Sequence, residues 1–253
     1  MKTLHIACAS AFWGDTPMAV PQLLRHPKLD FIVMDYLSEV TMTLLAPLRK
    51  RDPQAGYTPD FFDDVIAPHL AILKARGIRV VTNAGGLNPA GLKERIQTFA
   101  AERGNAVKVA CVNGDDLGGR PELLPKGQFT SASAYLGAPG IAAALAGGAD
   151  IVITGRVVDS ALVVGPVMQA FGRAWDEWDF LAQASLAGHI VECGTQCCGG
   201  NFTDWASVPR PDDVGFPVLR FEADGSFVVT KPPGTGGRVD VLTVGEQIVY
   251  EVG

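Results

Sequence analysis

Short runs of apolar residues recur along the first part of the chain, separated by stretches in which apolar positions return every third or fourth place. The runs at 4–9, 31–34, 78–82, 106–112 and 151–154 read as buried strands. The stretches at 17–25, 39–50, 61–75, 89–103 and 139–146 read as helices. The helix at 89–103 has its own punctuation: Asn88 is an N-cap, Pro89 suits the first helical position, and Gly104 closes the element. Strands alternating with helices predict an α/β fold, a mostly parallel sheet with helices on both faces.

Beyond Thr154 the pattern changes. Segments 159–171 and 179–193 are helix-like, the second ending at Gly194, and a glycine-rich loop follows. Segments 218–222 and 227–230 flank Asp224-Gly225, which predicts a hairpin with a type I′ turn. Segments 238–244 and 248–252 complete a β-rich C-terminal section in this reading. The expected organisation is an α/β domain over 1–175, then a helix, glycine-rich loop and β-rich section over 176–253, in the same domain or a truncated second one. The chain stops inside that section with no polar tail, as a fragment or a short member of something longer would.

Composition changes this picture in two places. Of the 253 residues 47% are apolar and only 19% charged, against about 25% charged in an average protein. The apolar surplus calls for a large core or a buried subunit interface, so the expected state is a homo-oligomer, at least a dimer. The net charge of −6 argues against a surface that tracks nucleic-acid phosphates. Five cysteines, odd in number and unevenly spaced, do not make a disulfide framework. The opening apolar stretch is broken by His5, and Asp150 interrupts the longest later one, so neither a signal peptide nor a membrane span is expected. A cytoplasmic location follows.

Candidate chemistry starts at the strand ends. The first βα turn, Cys8 to Asp15, lacks the glycine fingerprint of dinucleotide sites, and no phosphate-binding P-loop occurs. A nucleotide-dependent enzyme is therefore disfavoured. Open parallel sheets nevertheless bind ligands beyond the carboxyl ends of their strands. The residues there are Trp13, Gly14 and Asp15, then Asp35, then Asn83, Gly85 and Gly86, then Asn113, Asp115 and Asp116, then Gly155, Arg156 and Asp159. Any one Asp or Asn in such a place also caps helices and closes turns. Together they outline a polar substrate-binding rim, with Arg156 suited to a carboxylate or phosphate or to an ion pair with Asp159.

A second concentration lies at the end of the 179–193 helix. His189 shares a helix face with Glu192 and Cys193. The negative pole of the helix favours a protonated imidazole and disfavours a thiolate. His189 is the expected general acid/base, oriented by Glu192, with Cys193 beside them as a further catalytic candidate; a satisfied histidine at a helix end is the plain alternative. His189, Cys193, Cys197 and Cys198 invite zinc, but their spacing matches no ordinary zinc site, and no metal is expected. The loop after Gly194 offers backbone donors to a substrate carbonyl. Lys231, in the glycine-rich 231–237 segment, is a further anion-binding candidate.

Several blocks carry a resemblance. They are Phe12-Trp13-Gly14-Asp15, Asp35-Tyr36-Leu37-Ser38-Glu39, Asp52-Pro53-Gln54-Ala55-Gly56-Tyr57, Thr82-Asn83-Ala84-Gly85-Gly86 and Gly114-Asp115-Asp116. Further along come Ala134-Tyr135-Leu136-Gly137, Thr154-Gly155-Arg156-Val157-Val158-Asp159, Gly188-His189, Glu192-Cys193-Gly194 and Lys231-Pro232-Pro233-Gly234. In this order they resemble the acyclic terpene utilisation AtuA-like family. That resemblance implies catabolism of branched terpenoid acids through acyl-CoA intermediates, alongside an acyl-CoA carboxylase, and it supplies no assigned catalytic residues. Members usually continue beyond the Tyr250 block, which implies truncation here.

Two functions follow as expectations. One is a lyase of the hydro-lyase type, a hydratase or dehydratase on an unsaturated branched acyl-CoA or organic acid, with a CoA thioester as substrate and no cofactor of its own. The other is a non-catalytic acyl-CoA-binding or carboxylase-associated subunit, whose interface would absorb the apolar surplus.

Overall fold

Strands β1 (Thr3–Cys8), β2 (Phe31–Met34), β3 (Arg79–Thr82), β4 (Val109–Val112) and β5 (Ile151–Thr154) run parallel. β6 (Val218–Glu222) and β7 (Phe227–Thr230) complete the sheet antiparallel, in the order β4-β5-β3-β2-β1-β6-β7. The computed structural model describes residues 2–250 of the chain. β2 and β5 are buried along their whole length, as strands covered on both faces should be.

The strand order dictates where the helices go. From β1 through β4 the chain moves steadily toward one edge, and right-handed crossovers keep the connecting helices on one face. That face holds α1 (Ala19–Leu23), α3 (Ala67–Ala75) and α4 (Pro89–Glu102), packed through Leu23, Leu70, Leu73, Leu92 and Ile96 onto Ile32, Val80, Ile151 and Ile153. From β4 the chain turns back, so α5 (Pro139–Ala146), α6 (Ala161–Phe171) and α7 (Trp178–Glu192) cover the other face. There Ile141, Val163, Val167 and Ile190 meet Ile6, Phe31, Val81 and Val152. α6 is apolar along nearly its whole length because it lies between the sheet and its neighbours. Gly165 and Gly188 permit the closeness: a Cβ at either would come within 3 Å of Ile141 or Ser160. α2 (Glu39–Arg51) stands apart with a small cluster of its own, Leu37, Met42 and Leu45.

The α/β architecture matches the sequence reading, and β6 and β7 occupy the segments expected of a hairpin. Its turn differs. Only Gly225 has a positive φ, +90°, and its N–H bonds to the Glu222 carbonyl at 3.1 Å. The turn is therefore a type I turn closed by a left-handed glycine, not a type I′ turn, which needs two such residues. The expected helix at 61–75 opens with a π-helical turn, Phe61–Ile66, before α3. Pro68, which has no N–H to give, sits at that junction.

The larger correction is at the C-terminus. Residues 238–244 and the start of 248–252 are not strands: α8 (Val241–Val249) occupies most of them, and residues 251–253 lie outside the described residues. Asp240 forms a capping box with Thr243, its Oδ1 accepting the Leu242 and Thr243 N–H groups at 2.9 and 3.1 Å. Thr243, Val244, Gln247 and Ile248 form the inward face. That spacing is helical, and the β-branched composition masked it. The C-terminal section thus adds two antiparallel strands, β6 and β7, to the sheet already described, and α7 packs on β1 in the same core. Among the described residues no helix is long and apolar enough to cross a membrane.

Candidate functional site

A cavity of about 760 Å³ opens at the carboxyl ends of the parallel strands. Four segments, with Tyr135 and Tyr250, wall it. Ala11, Phe12 and Asp15 follow β1; Asp35, Leu37, Ser38 and Glu39 follow β2 and start α2. Arg156 and Asp159 follow β5, with Tyr135 beside them. Glu192, Cys193, Thr195, Gln196, Gly200 and Asn201 come from the end of α7 and the glycine-rich loop, and Tyr250 closes one side. The volume lies within the ~300–1,000 Å³ usual for small-molecule sites.

Three carboxylates converge in it. Asp35, Asp159 and Glu192 each place an oxygen within 4.8 Å of the others. Asp35 is buried and held rigidly: its Oδ1 accepts the Asn83 amide at 2.6 Å and the Leu37 N–H at 3.1 Å. Burial, reinforced by the neighbouring Asp159, pushes its pKa up to about 7 against the pull of these hydrogen bonds and Arg156. Carboxylates gathered this closely retain a shared proton or take up a hard divalent cation. The expectation of no metal rested on cysteine spacing, and this all-oxygen set lies outside that reasoning. Burial also raises the pKa of Asp15.

Opposite charge stands along the wall. Arg156 is almost wholly buried and stacks on the Tyr135 ring, 4.2 Å from its centre. It donates to the Leu37 carbonyl and lies 3.4 Å from Glu39 Oε1, while the Tyr135 hydroxyl donates to that same carboxylate. That hydroxyl holds the Glu39 pKa below the usual range. The ion pair that Arg156 makes with Glu39 was not among the partners sequence suggested.

At the end of α7, Glu192 and Cys193 line the cavity, and His189 stands behind them. Its Nε2–H donates to the Ile248 carbonyl at 3.0 Å, and its Nδ1 lies 3.2 Å from Glu192 Oε1. The expected order, a histidine at the substrate with a glutamate behind it, is thus reversed in space. His189 links the cavity's glutamate to α8, and Gln247 returns the contact by donating to the His189 carbonyl at 3.1 Å.

The remaining expected residues serve the walls. Trp13 gives its indole N–H to Asp60 at 3.1 Å. Asn83 is fully buried and orients Asp35. Gly85 has no room for a side chain, since a Cβ would sit 2.5 Å from the Thr154 carbonyl. Gly86, with φ +51°, turns the chain so that Leu87 can donate to Gly56. Asp115 is buried and accepts the Arg156 N–H at 2.8 Å, setting the backbone from which that arginine projects. Lys231 spends its ammonium on Thr235 and Gly236 within its own loop. None of these seven, His189 included, borders the cavity. Sequence reasoning left out Glu39, Tyr135 and Tyr250 as site residues. For the first two, the blocks carrying the family resemblance were the available signal.

Fold and cavity together define an α/β protein with an acidic cleft at the carboxyl ends of its parallel strands. The chain belongs to the acyclic terpene utilisation family: the family described as acyclic terpene utilisation family protein AtuA matches residues 4–253. No curated protein and no solved structure matches the chain.

Proposed function

We propose that the protein is a hydro-lyase that adds water to, or removes it from, a double bond conjugated to the carbonyl of a branched organic acid or its CoA thioester. The observation that carries this reading is the meeting of Asp35, Asp159 and Glu192 within 4.8 Å in the cavity. Hydration of a conjugated bond needs one carboxylate to take a proton from water and one carboxylic acid to give a proton to the α-carbon. Three acids so close do not all ionise together, so both forms coexist in one site.

In the hydration direction, Glu192 or Asp159 accepts a proton from water as the water oxygen bonds to the β-carbon. The displaced π electrons move onto the carbonyl oxygen as an enolate. Arg156, stacked on Tyr135, supplies the positive side of the wall for that oxygen. Collapse of the enolate takes the proton of Asp35 to the α-carbon, and proton exchange between the carboxyls restores the starting state. His189 fixes Glu192 and does not touch substrate. Family membership fits a substrate drawn from terpene catabolism.

The test is incubation of the purified protein with unsaturated branched acyl-CoAs and the free acids, followed by mass change. The expected result is gain of one water by at least one of them. Asp35→Asn and Glu192→Gln each slow turnover by about 10²–10⁴-fold with KM little altered. Turnover restored only by added Mg²⁺ or Mn²⁺ transfers the role of the carboxylates to cation binding. No water exchange with any member of the panel sinks the reading and favours an acyl-CoA-binding, carboxylase-associated subunit.

A further inference from the structure

We infer that the site takes its substrate as a neutral thioester rather than as a free carboxylate, with the amide-bearing pantetheine arm of that thioester held in a second pocket adjoining Arg156. The inference rests on the hydro-lyase reading for where the reacting carbons lie. The second pocket, of about 240 Å³, shares Glu39, Tyr135 and Arg156 with the main cavity and no other residue. Its remaining polar lining is all hydroxyl, from Thr43, Thr130, Ser131 and Ser133, and Met42 adds an apolar side chain. The Ser133 hydroxyl is shielded from water and has no hydrogen-bond partner among the described residues. Buried hydroxyls ordinarily find one.

Charge decides between acid and thioester. Among the described residues that line the two pockets, Asp15, Asp35, Glu39, Asp159 and Glu192 are acidic, and the one cation, Arg156, is already paired with Glu39. A substrate carboxylate would meet fixed charge of its own sign at close range, which disfavours it. A proton held by Asp35 lessens that excess without reversing it. A thioester carbonyl carries no charge, and its sulfur feeds little electron density into the carbonyl, so it forms an enolate more readily than an ester or amide. In the proposed hydration the reacting carbons lie at the carboxylates and the carbonyl oxygen at Arg156, whose guanidinium has more N–H groups than its bonds to Leu37 and Glu39 use. The remaining substituent of the carbonyl, sulfur with its arm, then leaves past Arg156, where the second pocket opens. Hydroxyls both donate and accept, as the amides of the arm require.

The test is calorimetric titration of the full chain with isovaleryl-pantetheine, the isovaleryl S-methyl thioester and free isovalerate, none of which has a conjugated double bond or a β-hydroxyl to react. The pantetheine thioester is expected to bind about tenfold more tightly than the S-methyl thioester, the worth of one or two hydrogen bonds, and isovalerate more weakly than either. Thr43 is exposed and lines the second pocket alone. Thr43→Phe, which fills that pocket, is expected to bring the pantetheine thioester down to the affinity of the S-methyl thioester and to leave the latter unchanged. Isovalerate bound as tightly as the thioesters overturns the inference, as does binding of none of the three. So does a pantetheine thioester that gains nothing over the S-methyl thioester or is indifferent to Thr43→Phe. No water is exchanged in these titrations, so their failure is distinct from failure of the hydration assay.

Discussion

The side chain of Asn83 joins two strand ends: its amide donates to Asp35 Oδ1 at 2.6 Å, and its oxygen accepts the Tyr36 N–H at 2.7 Å. Both contacts are buried, so the position of Asp35 follows from the position of β3. Removing the amide takes one of two hydrogen bonds from the Asp35 carboxyl and orphans the Tyr36 N–H at once. Asn83→Ala is expected to lower stability by about 1–3 kcal/mol, the cost of buried polar groups left unsatisfied. Urea unfolding measures this directly, and a midpoint that does not move would refute it.

Asp35 also makes stability depend on pH. Its folded pKa, raised to about 7, lies above that of the unfolded chain, where a free aspartate titrates near ~3.9. The folded state therefore holds a proton that the unfolded state has lost. This contribution is fully present below the unfolded value and is lost as pH rises through about 7. The groups facing it are Asp159, Glu192, Arg156 and Asn83. Wild-type stability is expected to fall between mildly acidic and neutral pH relative to Asp35→Asn, which keeps the shape and removes the titration. Parallel stability profiles for the two proteins would contradict it.

Gly155 and Asp115 are in contact through a missing side chain. A Cβ at Gly155 would lie 2.1 Å from Asp115 Oδ2, the atom that accepts the Arg156 N–H. Gly155→Ala must displace the carboxylate and loosen the backbone beneath Arg156. A loss of about 1–3 kcal/mol is expected from such overpacking, and thermal unfolding tests it. An alanine variant as stable as the wild type would show that the loop yields freely.

The cap of α8 offers a local test. Asp240→Ala removes the acceptor for two backbone N–H groups, at a cost of about 0.5–2 kcal/mol. Faster amide exchange is expected over 241–249, with the sheet unchanged. His189→Ala is expected to raise exchange in the same segment, because it deletes the bond to the Ile248 carbonyl. Exchange confined to the neighbourhood of residue 189 would show that the histidine does not hold the helix.

The parallel strands were legible because each is a short apolar run, and α4 because Asn88 and Pro89 mark its start. α8 was not. Val241, Val244, Ile248 and Val249 are strand-forming residues by composition, and the capping box at Asp240 outweighs that preference. The rim at the strand ends held four of the cavity residues, Asp15, Asp35, Arg156 and Asp159, in view. What sequence could not show was depth. His189 and Glu192 share a helix face, and which of them meets the cavity depends on where α8 docks, with its Ile248 carbonyl capturing the ring. Tyr135 and Glu39 were hidden because their contacts to Arg156 join segments far apart in the chain.

β1 pairs with β2 on one side and β6 on the other, its Thr3 hydroxyl donating to a Glu222 carboxylate 219 positions later. During synthesis β1 acquires β2 early, yet its other edge stays open until the chain has been made through β6. An apolar strand with one unpaired edge is a template for foreign strands, and a closure this distant in sequence slows folding. The nascent chain is thus most prone to aggregate in the interval between β2 and β6, and chains cut short of β6 keep that open edge permanently.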